Sequence, residues 1–218
     1  MGVGHLAVGF AAKRIAPGVP LALLLVAATL LDILWSTFIL LGLEHARIVP
    51  GITAAAPLEL YDYPISHSLV GTGLWMLVAG GIFFLVARDR RAAMVVALCV
   101  LSHWVLDVVS HRADVPVGWR GPYLGLGLWN SVPATIAVEE SMLVLGIVVY
   151  MRVSIARSPA GTWGLGALAL LLCVLGAGAY LGRPPPDITT LAAGNLAGSL
   201  LVLAAHAVDR RRMPVIAG

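Results

Sequence analysis

The sequence predicts an all-α protein, a polytopic membrane helix bundle of about six transmembrane helices with a short re-entrant helix near its N-terminus. Of the 218 residues, 60% are hydrophobic and only 11% are charged, and the mean hydropathy is +0.94. A soluble globule of this size could not bury so much apolar surface. Six segments reach the ~20 apolar residues that a membrane-spanning helix requires. They are residues 19–43, 65–87, 92–110, 132–151, 162–182 and 188–208.

Proline and glycine punctuate the ends of these segments, for example at Pro17-Gly18 and Pro50-Gly51. The sequence contains neither a linker-like stretch nor a shift in composition, so residues 1–218 are predicted to form one transmembrane helical domain. The cysteines Cys99 and Cys173 both lie inside apolar segments, where buried and unreactive thiols are expected.

The positive charges are distributed unequally between the two ends of the predicted spans. Of the 14 Lys and Arg residues, ten fall on the side that holds both termini and four on the other. Because cytoplasmic loops carry the excess of positive charge, both termini are predicted to be cytoplasmic, in a multi-pass protein of the inner (cell) membrane. The basic residues stand singly at segment ends, so the expected partner is the lipid bilayer and no nucleic acid is expected.

Four acidic residues lie within the predicted spans, namely Asp32, Asp107, Glu139 and Glu140. Each costs ~2.5–3.5 kcal/mol at the centre of a membrane helix on insertion scales. Their total cost is on the order of 10 kcal/mol, comparable to the whole stability of a typical domain. Such residues are therefore expected to have partners, to face water or to hold a cation.

His103 and Asp107 suggest a cation, because they are four residues apart on the third span. This spacing places two side chains on one helix face with about 5–6 Å between their Cβ atoms, so both can bind one ion. His111 continues the same stripe. Polar pairs also join membrane helices by hydrogen bonds, so the pair alone leaves metal binding and helix association both open.

The depth of other polar residues favours metal binding. Pro17-Gly18 separates a short helical stretch, about residues 3–15, from the first span and predicts an αα-hairpin. His5 lies about 13 residues before this turn and Asp32 about 14 after it, so both reach about 20 Å from the turn at 1.5 Å per residue.

From the other side of the membrane, His67 falls in the first turn of the second span, and His103 lies about 12 Å below His111. Five candidate metal ligands are thus predicted to surround a single point in the outer half of the bundle. They are His5, Asp32, His67, His103 and Asp107.

Other polar residues lie at a similar depth. Glu139 is about eight residues into the fourth span, or about 12 Å deep, and Glu140 points about 100° away. One of the two is expected to face the site, with Glu139 preferred, and the other a neighbouring helix. For Asn195 in the last span, an interhelical hydrogen bond is expected. In the last two spans, the spacings of Gly178 and Gly182 and of Gly194 and Gly198 predict close helix packing, within the bundle first and in a dimer as the alternative.

Four short motifs occur in order along residues 1–111: Gly4-His5, Leu31-Asp32, Ser66-His67-Ser68 and His103-Trp104-Val105-Leu106-Asp107. This arrangement resembles the membrane-bound metal-dependent hydrolases related to the LexA-binding inner-membrane proteins. That family typically has a Thr-His start, a Pro-Asp-x-Asp-His element, a His-Arg-x-x-Thr-His-Ser element and a His-x-x-x-Asp helix.

The sequence also departs from the family pattern. Leu31 replaces the proline, and Leu34 and Trp35 replace the second acid and its histidine. Asp62 stands where the third element would begin with histidine. The five candidate ligands named above are the positions that survive.

A mixed set of nitrogen and oxygen ligands suits a divalent transition metal, with Zn expected first and Mn or Fe as alternatives, rather than Ca or Mg. The resemblance implies hydrolysis, in which the metal lowers the pKa of a bound water to ~7. Asp62 or Glu139 would then act as the catalytic general base. A site in the outer half of the membrane points to an amphiphilic or lipid-like ester as the substrate.

Two other functional classes fit the same residues. In a transporter or proton-coupled carrier, the buried His, Asp and Glu side chains would form an ion relay with hydrogen-bond spacing. In a binding scaffold, a structural metal would have a closed set of four ligands and no open coordination position.

Overall fold

The computed structural model describes residues 1–215 and confirms the all-α membrane bundle. Among these residues, five helical segments are long and apolar enough to span a membrane, the last of them being Ile188–Asp209, and a bent pair of helices would be a sixth span if counted as one. The helices are α1 (Gly4–Ala12), α2 (Leu21–Ala28), α3 (Leu30–Leu40), α4 (Pro64–His67), α5 (Leu69–Ala87), α6 (Arg90–Ser110), α7 (Val132–Arg152), α8 (Pro159–Leu181), α9 (Ile188–Ser199) and α10 (Leu201–Asp209).

Short antiparallel strands and one 3₁₀ turn complete the fold. The strand pairs are β1 (His45–Ile48) with β2 (Leu58–Asp62), β3 (Val115–Pro116) with β4 (Tyr123–Leu124), and β5 (Ser154–Ala156) with β6 (Arg212–Pro214). The 3₁₀ turn covers Leu128–Asn130. The first two pairs and this turn lie in the loops at one end of the bundle, which we call the β1–β4 end.

The predicted N-terminal hairpin is present, and it returns α1 into the bundle beside α2, α6 and α7. Asp209 fixes the turn of this hairpin at the end opposite β1–β4. Its carboxylate lies 3.2 Å from Lys13 Nζ and accepts hydrogen bonds from the Leu21 amide and the Tyr150 hydroxyl. A buried Lys requires such a partner, so these contacts stabilise the entry of α1 into the apolar interior.

Close packing between α1 and α7 depends on Gly146. A Cβ atom at this position would lie 2.5 Å from the Ala7 carbonyl oxygen, so only glycine permits the two backbones to approach this closely. Apolar side chains of α1 then enter two buried clusters, one shared with α2 and α6 and the other with α2, α7, α8 and α10. This packing holds the N-terminal segment at the depth of the candidate ligands.

The first span is not the continuous helix that the sequence predicted for residues 19–43. It is broken at Thr29 into α2 and α3, whose axes differ by 59°. The Thr29 hydroxyl donates to the Leu25 carbonyl at 2.9 Å, a type of bond that bends helices. The break places Asp32 in the first turn of α3, where the positive end of the helix dipole favours a carboxylate.

The second span also begins later than predicted. His67 lies in the single-turn helix α4, and Ser68 separates α4 from α5 with an extended backbone. The Ser68 hydroxyl accepts a hydrogen bond from the Gly71 amide at 2.9 Å, so it caps α5. His67 therefore lies on a separate helical turn near the β1–β4 end of the bundle.

The close helix packing predicted at Gly194 and Gly198 is wrong within the described part of this chain. A Cβ atom at either glycine would meet nothing within 4 Å. Both glycines instead line a cavity between α1–α2, α8 and α9–α10. Because glycine has no side chain, these two positions leave free volume inside the bundle.

Candidate metal centre

The structure brings all five predicted ligands together around the carboxylate of Asp107. Its Oδ1 atom lies 3.2 Å from His5 Nε2. Its Oδ2 atom lies 3.5 Å from His67 Nε2 and 3.3 Å from His103 Nε2. Asp32 Oδ1 completes the group, at 3.8 Å from His67 Nε2 and 3.6 Å from His103 Nε2. Each of these residues comes from a different helix except for the pair on α6.

These separations match the dimensions of a zinc site. Bonds of about 2.0–2.2 Å place the ligand atoms of a tetrahedral zinc ion about 3.3–3.6 Å apart. The carboxylate oxygens of Asp32 and Asp107 lie 3.3 to 3.8 Å from the Nε2 atoms of His67 and His103. The ligand atoms of Asp32, His67 and His103 all lie within 4.8 Å of one another, so one cation could bind these three residues and keep a fourth position open.

Hydrogen bonds outside the cluster set the orientation of two histidines. His103 Nδ1 lies 2.9 Å from the Ala28 carbonyl oxygen, which can only accept, so Nδ1 carries the proton. The break between α2 and α3 is what places this carbonyl beside His103. In the neutral ring, Nε2 is then unprotonated and presents its lone pair to the cluster, as in metal-binding histidines whose second nitrogen donates to a carbonyl.

His67 is oriented by a longer chain of hydrogen bonds. Its Nδ1 lies 2.8 Å from Ser66 Oγ, which donates to Glu44 Oε2 at 2.5 Å. Because the serine hydroxyl has one proton, it accepts from His67 Nδ1, and His67 Nε2 is again free to bind a cation. Burial raises the pKa of Glu44, although two hydrogen bonds from Ser66 counter part of that shift.

His5 occupies a different position relative to the cluster. Its ring stacks on His103 with centroids 3.6 Å apart and planes 4° from parallel. A metal binds in the plane of an imidazole ring, so an ion in the plane of His103 lies outside the plane of His5. The possible ligands form two overlapping groups, His5–His103–Asp107 and Asp32–His67–His103, each with its atoms within 4.8 Å of one another.

Several ring nitrogens of the cluster have no hydrogen-bond partner among residues 1–215. They are both nitrogens of His5 and Nε2 of His103, and both side chains are fully buried. His5 Nε2 is near Asp107, but not in hydrogen-bonding geometry. Leaving a buried polar atom unsatisfied costs about 1–3 kcal/mol, and a bound cation would remove that cost at His103.

Asp107 also contacts two groups that were not among the predicted ligands. The amino nitrogen of Met1 lies 2.6 Å from Oδ1, and His111 Nε2 lies 3.5 Å from the same oxygen. Burial lowers the pKa of His111, but the carboxylates of Asp107 and Asp114 outweigh it and raise the pKa overall. The sequence does indicate the contact of His111, because His103, Asp107 and His111 are spaced at intervals of four residues and share one helix face.

The two residues expected to act as general base lie outside the ligand groups. The Asp62 side chain is half exposed at the end of β2 and pairs with His45 Nδ1 at 2.8 Å. Glu139 is fully buried and accepts hydrogen bonds from the amides of Gly2 and Gly4, at 2.8 and 3.2 Å, and from the Tyr180 hydroxyl. Glu139 thus anchors the start of α1, and the structure brings neither residue into the cluster.

The paired acids and Asn195 also have defined surroundings. Glu140 faces α8 beside Gly176, so the two neighbouring glutamates do point to different partners. The interhelical hydrogen bond expected for Asn195 is absent within residues 1–215, where only its backbone carbonyl accepts a bond, from Ser199. Its side chain lines two cavities.

One cavity of about 210 Å³ opens onto the cluster. Its polar lining includes Asp32, His67, Asp107 and His111, and Trp35, Tyr63 and Trp129 contribute aromatic walls. The Asp32 side chain is 34% exposed, whereas the other four candidate ligands are almost completely buried. A water molecule or a substrate group therefore has access to the cluster on the side of Asp32.

No protein-family model matches this chain, and comparisons with curated proteins and with solved structures also find no match.

Proposed function

We propose that this protein is a membrane-embedded, metal-dependent hydrolase that cleaves an ester of a membrane lipid or a similar amphiphile. The observation that carries the proposal is the group of Asp32, His67 and His103, whose ligand atoms lie within 4.8 Å of one another, with Asp107 beside them and a cavity on one side. The order of motifs along residues 1–111, which resembles the metal-dependent membrane hydrolases, supports the same reaction.

The donor set fits a divalent transition metal. In their neutral forms His67 and His103 would present Nε2 lone pairs, and the carboxylates of Asp32 and Asp107 would balance the charge of a dication. When bound, a zinc ion would acidify a water molecule and polarise the ester carbonyl. Manganese or iron would suit the same ligands. Of these candidates zinc is preferred because three protein ligands with one open position are typical of catalytic zinc.

The residues of the chain supply the remaining parts of the reaction. Asp32 is the most exposed carboxylate of the cluster, so its oxygen that does not bind the metal is the best placed to accept a proton from a water molecule in the cavity. Ser66 and the Ala28 carbonyl hold His67 and His103 in place. The aromatic walls of the cavity limit the water that reaches the ester.

The location of the site supports an amphiphilic substrate. His67, Asp107 and His111 lie near the β1–β4 end of the bundle, and the excess of positive charge at the opposite end supports an outward-facing position for the β1–β4 end. A lipid in the outer half of the bilayer would therefore present its ester region at about this depth. The substrate would enter from the membrane rather than from the cytoplasm.

A proton-coupled carrier is the second candidate, and one observation favours it. His111 joins Asp107 to Asp114 through separations of 3.5 and 3.2 Å, and Asp114 contacts Arg112 near the membrane surface. Such a chain could move protons between the cluster and the loops. The metal content of the protein and its proton flux distinguish the two functions.

The test uses purified protein in vesicles of phosphatidylethanolamine and phosphatidylglycerol, with released lipid products measured by mass spectrometry. Release is expected with zinc, to be lost with EDTA, and to return when zinc is restored. His103→Gln should abolish release, while His206→Gln, which changes an exposed histidine outside the cluster, should not. Zinc-loaded protein that releases no product, or protein that transports protons without metal, would overturn the hydrolase.

A further inference from the structure

The second cavity has a volume of about 260 Å³ and lies between α1–α2, α8 and α9–α10. It shares Asp32, Tyr180 and Asn195 with the cavity that opens onto the metal cluster. The two cavities therefore meet at these residues, and together they reach the size range of small-molecule sites.

The polarity of this cavity changes along its length. Polar side chains are gathered at the junction, where Asp32, Tyr180 and Asn195 lie. Beyond the junction the lining is leucine, valine, alanine and glycine. The hydroxyls of Thr29 and Ser199, which also line it, are bonded to carbonyl oxygens of their own helices, at Leu25 and Asn195. The cavity thus matches a molecule with one polar end and one long apolar part.

The length of this cavity is similar to that of an acyl chain in one leaflet of a bilayer. On α8 the lining runs from Tyr180 to Leu168, which corresponds to about 18 Å along the helix. The acyl chains of one leaflet occupy about half of the ~30 Å hydrocarbon core, or about 15 Å. A chain that enters from the bilayer would fill the cavity and place its polar end at Asp32.

The wall of the cavity offers an entry from the lipid. Although α8 and α9 follow one another in the chain, α9 packs mainly on α3, and α10 packs on α2 and α8. Gly194 and Gly198 of α9 line the resulting gap, and a Cβ atom at either position would be free of contacts. Leu170 of α8 and Leu203 of α10 are exposed and do not line the cavity, so they would face lipid on the outer surface of the bundle.

We propose that this cavity binds one fatty acyl chain of a membrane lipid and that Asn195 positions the adjacent ester region beside Asp32. The inference rests on the proposed hydrolase, because it names the substrate as an acyl lipid with its ester at the metal cluster. Asn195 suits the role because its side chain has no hydrogen-bond partner among residues 1–215 and lines both cavities.

The test of the acyl-chain site by photolabelling needs neither bound metal nor enzymatic turnover. The full-length protein is placed in nanodiscs that contain EDTA and a phosphatidylcholine with a diazirine near the end of one acyl chain. After irradiation, labelled residues are identified by peptide mass spectrometry. Labelling is expected at the cavity residues Leu172 and Val202 as well as at Leu170 and Leu203, which face the lipid and serve as the internal reference.

Leucine side chains introduced into the gap should exclude the acyl chain. Gly194→Leu and Gly198→Leu are expected to lower the ratio of cavity to reference labelling about tenfold. Ala193→Leu and Ala197→Leu, on the same helix at exposed positions outside the cavity lining, should leave the ratio unchanged. Labelling confined to the reference residues, or equal ratios in all four variants, would overturn the acyl-chain site.

A diazirine-bearing isoprenoid phosphate is tested in parallel, and labelling of the cavity by this lipid alone would show that the occupant is not an acyl chain. For Asn195→Leu, cavity labelling should persist while the KM for lipid hydrolysis rises at least fivefold. An unchanged KM would overturn the positioning role. Cavity labelling without metal-dependent hydrolysis would refute only the proposed reaction, and hydrolysis without cavity labelling would refute only the acyl-chain site.

Discussion

The imidazole rings of His5 and His103 lie face to face, with centroids 3.6 Å apart and planes 4° from parallel. His5 belongs to the N-terminal hairpin and His103 to the span α6, so the stack joins the re-entrant helix to the metal-binding core. Two protonated rings would repel each other in this arrangement, and a metal ligand must be neutral. At most one of the two rings is therefore protonated, and a neutral His103 meets the requirement for a metal ligand.

His5→Gln is expected to weaken zinc binding by about 10- to 100-fold, the cost typical of residues that support metal ligands. Glutamine keeps a polar side chain but loses the stacked ring. Affinity is measured by competition with a fluorescent chelator. The matched control is His206→Gln, which changes an exposed histidine on α10. Equal affinities for the two variants would show that His5 does not support the site.

Ser66→Ala should also lower zinc affinity about 10- to 100-fold, because His67 Nδ1 would lose the hydroxyl that accepts its proton. Ser102→Ala provides the control, since this hydroxyl on α6 bonds only to the Cys99 carbonyl. The same chelator competition compares both proteins. A loss of affinity in both variants would point to a general structural effect rather than to the orientation of His67.

Lys13→Met is expected to destabilise the protein by about 3–5 kcal/mol, because it leaves the carboxylate of Asp209 without its buried cationic partner. Arg14→Met changes the next residue, which is exposed, and should alter stability by less than about 0.5 kcal/mol. Thermal unfolding in detergent measures both. Similar melting temperatures would mean that the hairpin turn does not depend on the Lys13–Asp209 pair.

The proposed orientation can be tested with single cysteines. In intact cells, a membrane-impermeant maleimide should label Ala54→Cys, which is exposed between β1 and β2, and should spare Arg90→Cys at the start of α6. Ala55 is unsuitable because it is buried. The wild-type protein measures background from Cys99 and Cys173. Labelling of position 90 alone would place the metal cluster in the inner half of the membrane.

Much of the architecture was predictable because membrane spans follow from segment length and hydropathy. The N-terminal hairpin was predictable as well, since Pro17-Gly18 marks its turn and the stretch before Lys13 is uncharged. Counting helix rise from this turn placed His5 and Asp32 at one depth. The structure brings both to His103.

Other features depend on contacts between distant parts of the chain, which no local pattern reveals. The break at Thr29 has no proline or glycine to mark it, yet it supplies the Ala28 carbonyl that orients His103. Glu44 reaches Ser66 only because the antiparallel pairing of β1 with β2 brings Asp62 opposite His45. Glu139 shared the predicted depth, but depth does not fix the direction of a side chain, and its carboxylate caps the start of α1.

The most direct test of the metal cluster is the metal content of the purified protein, measured by elemental mass spectrometry. Asp107→Asn keeps the shape of the central side chain but removes its charge, and Asp89→Asn is the control because either residue can cap α6. Wild type and Asp89→Asn are expected to contain close to one zinc, manganese or iron ion per chain, and Asp107→Asn less than a tenth of that. Equal metal content in all three proteins would contradict the proposed centre, as would wild-type protein that binds no metal.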